Sequence, residues 1–359
     1  MNKRELLTYF NFVNLPNRKI LEIIENMDYE NFFDLEEKDY SLLDRRTYDK
    51  IFSPKNFEDF KYYKEKLYRS SAKITTIFDD DYPYNLRTID DRPAILYYKG
   101  ALSDYDKYSV AFVGARKCTD YGKWACQRLV EGVSSKGIPT VSGLAYGIDS
   151  ICHSTSLKLK QRTIGVIGCG IDQIYPKSNR RLYEEIENTG LILSEFPLET
   201  PPRAWNFPQR NRIISGMSLA TVVIEAKEKS GTMITSAAAI SQGREVFCVP
   251  GNINSIYSKG TNRLIQDGAK LILDADDIID ELQQLSFFDQ EEEEKDFSDL
   301  DKDELKIITY IEENPYANAD LISLDLQISI DDVNYLLTSL ELKDYIENIG
   351  GNEFHIRRN

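Results

Sequence analysis

Histidine is nearly absent, two in 359 residues, and the five cysteines include no CxxC pair. Cys118, Cys126, Cys152, Cys169 and Cys248 are odd in number and all lie mid-chain. That pattern argues against both a disulfide frame and a structural zinc site, and it predicts buried thiols. No apolar stretch approaches the roughly 18 residues that cross a bilayer. The opening MNKRELLTYFNF lacks the uninterrupted apolar segment of a secretory signal. The expectation is a soluble, cytoplasmic protein with no membrane partner. Positive charge is also in short supply: 44 Lys and Arg stand against 59 Asp and Glu, a net −15. Taken alone, that balance disfavours a polyanionic partner. The distribution matters more than the sum, because residues 110–270 hold 20 basic and 13 acidic side chains, leaving the middle at +7 and the flanks together at −22. Such asymmetry points to one segment that meets an anion while the flanks do something else.

The length exceeds twice the usual domain size of about 150 residues, which predicts two or three domains with a sizeable core. Residues 1–70 have helical apolar spacing (Leu6, Leu7, Phe10, then Ile20, Ile23, Ile24) and read as a small helical domain. From residue 74 to 280, short runs continuous in Val, Ile and Leu alternate with amphipathic stretches. The seven runs are YSVAFVG, PTVSGL, RTIGVIGCG, LILSEFP, LATVVIEA, EVFCVPG and AKLILDA. Continuous rather than alternating apolar strands are what a parallel sheet covered on both faces requires, so the predicted class is α/β, a doubly wound, mostly parallel Rossmann-like sheet. A carboxylate-rich stretch at 286–303 reads as an acidic linker. Residues 304–359 read as three helices and a ribbon turning at Gly350–Gly351, a winged-helix pattern. Residues 302–359 carry 5 basic and 12 acidic side chains. Phosphate repulsion would oppose docking of such a module in a groove, so this tail is expected to contact protein, or another part of this chain.

Nearly every strand runs into glycine, and in doubly wound folds the ligand crevice lies at the strands' carboxyl ends. A dinucleotide site fits poorly, since VGARKCTDYG lacks GxGxxG and the second strand ends in Ser142–Gly143 where an acidic residue would be wanted. The first turn instead offers Gly114, Arg116 and Lys117 ahead of a helix, an anion cradle; the plain alternative is a tight turn beside a solvated arginine. Lys177, Asn179, Arg180 and Arg181 form a second basic cluster after the third strand. In FPLETPPRAWNFPQRNRIISG, a proline-stiffened loop, Phe196, Trp205 and Phe207 alternate with Arg203, Arg210 and Arg212. Rings among guanidinium groups suit stacked bases and held phosphates, and stacking tolerates any sequence, which favours single strands. The alternative makes Trp205 and Phe207 core anchors of a long loop. Ser230, Gly231, Thr232 and Thr235 open an alanine-rich helix, a further phosphate-binding terminus or an ordinary Ser/Thr cap.

Catalytic arrangements are thin. His153 follows Cys152 directly, and adjacent helical residues point to different faces, so no Cys–His nucleophile pair forms. Asp149, Glu195 and Glu225 lie near strand ends, suited either to acid–base work or to pinning an arginine. No ordered metal set is present, and neither a cofactor nor a catalytic residue is expected.

The strings VGARK, SGLAYGID, TIGVIGCGIDQIYPKSN, LILSEFP, FPQRNRIISG, EAKEKSGTMITSAA and GREVFCVPG, in this order, resemble the DprA/Smf DNA-processing proteins of bacteria. The resemblance spans about residues 74–280. It implies an extended Rossmann core that binds single-stranded DNA without sequence preference, dimerises through that core and helps load the RecA recombinase during natural transformation. It also implies a sterile-alpha-motif-like helical amino-terminal domain and a winged-helix tail. Carried over residue by residue, Arg116, Lys177 and the signature Arg210, Asn211 and Arg212, preceded by Asn206 and Phe207, would contact DNA. Gly114, Lys117, Ser142, Gly143, Asn179, Ser230, Gly231 and Thr232 complete the expected site. Two positions depart from the family pattern: Tyr146 replaces an arginine and Cys152 an alanine, so one phosphate contact is weakened or exchanged for stacking. The rival readings are a nucleotide-binding or nucleotide-hydrolysing enzyme of the lysine-decarboxylase-like Rossmann group and a pure protein adaptor.

Overall fold

The computed structural model describes residues 1–29, 31–34, 40, 43–287, 300–314, 317–343, 345–350 and 353–356. The main sheet contains β1 (Lys73–Thr76), β2 (Ile95–Gly100), β3 (Val110–Val113), β4 (Thr140–Ser142), β5 (Thr163–Val166), β6 (Leu191–Ser194), β7 (Ala220–Val223), β8 (Glu245–Cys248) and β9 (Lys270–Leu271). Their spatial order is β1-β2-β6-β5-β4-β3-β7-β8-β9. All neighbours from β6 to β9 are parallel, while β2 runs antiparallel to both β1 and β6. The seven apolar runs of the sequence became the seven parallel strands. The two antiparallel strands at one edge were not anticipated, although ILYYKG carries the same apolar signal.

Alternate residues of β3 show why both faces must be covered. Val110 and Phe112 pack with Ala125, Cys126, Leu129, Val130 and Val133 of the helix Asp120–Ser135. Ala111 and Val113 pack on the other face with Ile213, Ile214 and Met217 of the helix Asn206–Met217. All four β3 residues are buried, so strict hydrophobicity replaces the alternation of a half-exposed strand. The helix Asn206–Met217 corrects the sequence reading, which treated the whole proline-rich segment as loop. Pro208 falls in the first turn, where the N–H that proline lacks has no helical acceptor to lose. Four of the five cysteines are buried thiols as expected, whereas Cys118 is half-buried.

The amino-terminal segment folds as helices Lys3–Phe12, Asn17–Asn26, Arg45–Ile51 and Pro54–Arg69. Asp44 and Ser53 cap the last two by accepting from Thr47 and Asn56 backbone N–H groups. Leu7, Phe10, Ile20 and Ile23 of these helices share one apolar core with Tyr97, Ile192 and Ile167 of the sheet layer. A buried polar chain reinforces the join: Tyr63 Oη lies 3.1 Å from Tyr97 Oη, Tyr97 Oη donates to Asn11 Oδ1 at 3.0 Å, and Asn11 Nδ2 donates to the Glu195 carbonyl at 3.1 Å. Residues Met1–Phe287 consequently form one compact unit.

The second unit, Phe288–Asn359, holds helices Lys302–Glu313, Ala319–Leu326 and Ile330–Leu342 and an antiparallel pair, Ile346–Gly350 with Glu353–Ile356. Ile307, Ile308, Ile322, Val333, Leu337 and Leu340 make its core. Asp301 and Glu304 form a reciprocal capping box, and buried Glu304 also accepts from Ser339 Oγ and Lys343 Nζ at 2.8 Å. Lys343 holds the Glu304 carboxyl below its ordinary range. The third helix opens on Asp331 and Asp332. The expected linker falls mainly, and the ribbon turn in part, outside the described residues.

Candidate nucleic-acid interface

The chain leaves β3 for β4 on one side and later takes up β7 on the other. Loops after β3 and β7 therefore diverge, and a crevice opens at the carboxyl ends of the parallel strands. Close backbone contacts draw the surrounding loops together. Gly147 has φ +76°, and a Cβ there would lie 2.3 Å from the Ala115 carbonyl oxygen, so only glycine lets the turn carrying Tyr146 rest on the loop carrying Arg116. Asn179 Nδ2 donates to the Leu144 carbonyl at 3.0 Å and to Ser150 Oγ at 2.9 Å, tying the segment with Lys177 to that same turn.

Phe207 sits at the convergence. A Cβ on Gly168 would come within 3.0 Å of its ring, the Arg116 guanidinium lies 5.2 Å from its centroid, and that of Arg210 5.9 Å. Tyr175 flanks it at 5.5 Å with the rings tilted by 39°. Cation–π pairs of this kind contribute about 0.5–2 kcal/mol, more as water is excluded. Among the described residues Arg116, Lys117, Lys177 and Arg203 have no carboxylate partner within 4 Å, whereas Arg180 and Arg181 pair with Glu184 and Glu185 on their own helix. The mouth thus combines exposed, uncompensated cations with half-open rings. Sequence reasoning passed over Tyr175, whose signal was an aromatic two residues before Lys177.

Other candidates hold the mouth in shape from within. Arg210 is 3% exposed; its Nη1 donates to the Gly143 carbonyl at 2.6 Å and to the Val166 carbonyl, and its Nε to Asn211 Oδ1. Gly143 leaves no room for a side chain, since a Cβ would stand 2.6 Å from both Arg210 Nη2 and Asp149 Oδ2. Asn211 Nδ2 donates to the Gly231 carbonyl and Asn206 Nδ2 to that of Gly168, at 3.3 and 3.1 Å. Arg212 pairs with Glu195 and, at 2.9 Å, with Asp91. Ser142 turns its hydroxyl inward to the Phe112 carbonyl at 2.7 Å. Ser230 donates to the Lys227 carbonyl and does not cap its helix, Thr232 is buried, and Gly231 is exposed at the helix start. Gly114 packs on Ile148, whose side chain a Cβ would meet at 2.5 Å. The expected site thus divides: Arg116, Lys117, Lys177 and Phe207 face outward or line the opening, while Ser142, Gly143, Asn179, Asn206, Arg210, Asn211 and Arg212 are engaged internally.

The acidic groups behave as fasteners. Glu195 holds Arg212, Asp149 faces Arg210, and Glu225 accepts from the Thr119 N–H at 2.8 Å at the start of the helix Asp120–Ser135, pairing with no arginine among the described residues. Burial raises the Asp149 and Glu195 carboxyls above their ordinary range, opposed by Arg210 and Arg212 respectively. His153 is fully buried with Nδ1 2.8 Å from Thr163 Oγ1, and burial, aided by Arg210, pushes the imidazole down to about 3. The unfolded chain therefore binds this proton first, and stability falls as pH drops from about 6.5 towards 3. The two raised carboxyls contribute with the opposite sign but are common to any His153 variant. Melting temperatures at pH 7.5 and 5 should accordingly differ less in His153→Gln than in the parent, and an equal difference would exclude His153 as a source of acid sensitivity.

The family model for DNA recombination-mediator protein A matches residues 73–283. The chain belongs to this family. Among its relatives, the DNA processing protein DprA of Bacillus subtilis (strain 168) is 46% identical over 207 residues, 57% of this chain and 70% of the relative. DprA of Streptococcus pneumoniae is 37% identical over 272 residues, 75% of this chain and 94% of the relative. The X-ray structure of the pneumococcal DNA processing protein A superposes with a TM-score of 0.67 at 36% identity, covering 78% of this chain and 99% of that one. DNA processing protein A of Helicobacter pylori, whose structure is described as showing a unique single-stranded DNA binding mode, superposes at 0.54 with 30% identity, covering 60% and 97%.

Proposed function

We propose that this chain binds single-stranded DNA through the mouth around Phe207, without sequence preference, and acts as a recombination mediator that protects the strand and hands it to RecA. The observation that carries the reading is the Arg116 guanidinium over Phe207 beside Tyr175, with Arg116, Lys117 and Lys177 exposed and, among the described residues, without a carboxylate partner. Flat rings hold bases of any identity, and unpaired cations hold phosphates, which carry no sequence information. The relatives' names and the Helicobacter pylori structure support the same ligand, and membership of the mediator family supports RecA delivery, homodimer formation and a cytoplasmic setting. The role is one of binding rather than catalysis, in keeping with carboxylates at the strand ends that fasten the fold.

A competition titration tests this: a labelled 20-mer is displaced by unlabelled single strands of different composition and by duplex of equal length. Single strands should compete equally and duplex weakly. Preference for duplex, or for one base composition, would contradict the reading. Deleting residues 290–359 should leave oligonucleotide affinity within about twofold, since the acidic third helix of the tail repels phosphate; a collapse of affinity on deletion would assign the tail to DNA.

A further inference from the structure

Trp205 was open to two readings, core anchor or stacking surface, and its environment separates them. The indole is 63% exposed, so it anchors no core. It is nonetheless not adrift, because its segment is pinned at both ends to the turn after β5: the Gly170 N–H donates to the Thr200 carbonyl at 2.9 Å, and Asn206 Nδ2 donates to the Gly168 carbonyl at 3.1 Å and the Pro201 carbonyl at 3.4 Å. Between these pins Pro201 and Pro202 restrict the backbone, and the Asn206 N–H donates to the Arg203 carbonyl at 3.0 Å. Residues 201–205 therefore form a braced segment that leads directly into the helix carrying Phe207, with a large exposed ring at its end.

Arg203 completes the arrangement. Its guanidinium stands 5.4 Å from the Trp205 ring centroid and, among the described residues, meets no carboxylate. With the guanidinium against the ring and most of the indole in water, a flat aromatic surface stays available beside a free cation. This repeats the pairing of Arg116 with Phe207 two positions along the same segment. We infer that Trp205 and Arg203 form a second stacking platform of the same mouth, taking a base near the one at Phe207 and the phosphate beside it. The inference rests on the single-strand reading above and adds a second point of purchase, which lengthens the bound stretch.

The chain has two tryptophans, Trp124 and Trp205, so Trp124→Phe leaves Trp205 as the sole indole reporter. Adding oligo(dT) to that full-length variant should quench and shift its emission in step with the anisotropy of the labelled strand. In the otherwise native chain, Trp205→Ala should weaken oligonucleotide binding by about 5- to 150-fold, the range for loss of one stacked base. Trp205→Tyr should restore most of it, and both variants should melt like the parent because the ring is exposed. Arg203→Ala should flatten the salt dependence by about 0.7 in the log–log slope. If the parent binds oligo(dT) but Trp205 emission stays unmoved and Trp205→Ala binds as tightly, the platform is overturned while the Phe207 mouth stands. If the parent binds no oligonucleotide, both fall together.

Discussion

Arg210→Ala is expected to cost about 2–6 kcal/mol of stability, at about 1–3 kcal/mol for each of the two buried carbonyls left without their donor. The melting temperature of a unit this size should fall by roughly 3–10 °C. The loss has three parts: buried Asp149 loses the stronger of the two positive charges that act on it, the Gly143 and Val166 carbonyls lose their donor, and Asn211 loses the Nε that holds it. Each orphaned group costs free energy because water does not reach it. Oligonucleotide binding would fail in such a variant through collapse of the mouth. Thermal melts therefore have to accompany any binding assay at this position, and a variant that melts like the parent while losing affinity would make Arg210 a direct DNA contact instead.

Arg116→Ala should behave in the opposite way. The side chain is exposed, so the melting temperature should hold, yet affinity for every sequence should drop alike. A charge-assisted phosphate contact contributes about 1.5–3 kcal/mol, which is roughly 10- to 150-fold in Kd. Phe207→Ala removes a stacking surface of similar worth, about 1–3 kcal/mol per base. Because the Arg116 guanidinium lies on the Phe207 ring, the two substitutions share a contact, and the double variant should lose less than the sum of the singles. Strict additivity, or a loss confined to one base, would place the two residues at separate points on the ligand.

The sheet was legible because a strand buried on both faces reads as an unbroken apolar run, as in LATVVIEA and EVFCVPG. β1 and β2 escaped notice because the first, KITT, has polar and partly exposed residues, and the second lay between turn-rich segments. The helix Asn206–Met217 was hidden by Pro208, whose position in the first turn makes it harmless. The site was legible in its outline and less so in its division of labour. Arg210 and Arg212 read from sequence as phosphate ligands because charge is visible there while burial is not. What fixes them, the Gly143 and Val166 carbonyls and the Glu195 carboxylate, lies 17 to 67 residues away along the chain. Trp205 shows the converse, since an aromatic in a proline-rich loop is more often core, and only its exposure and the lone guanidinium against it reveal a free surface.

The central claim is that uncompensated cations and flat rings from separate loops act on one unpaired strand. Measuring log Kobs against log salt for a labelled oligonucleotide, with the parent, Arg116→Ala and Lys177→Ala, tests it most directly. Each phosphate contact on a single strand contributes about 0.7 to the slope. The account predicts a steep parent slope that each substitution reduces by about that amount, with melting temperatures unchanged. A slope unaltered by both substitutions would contradict it.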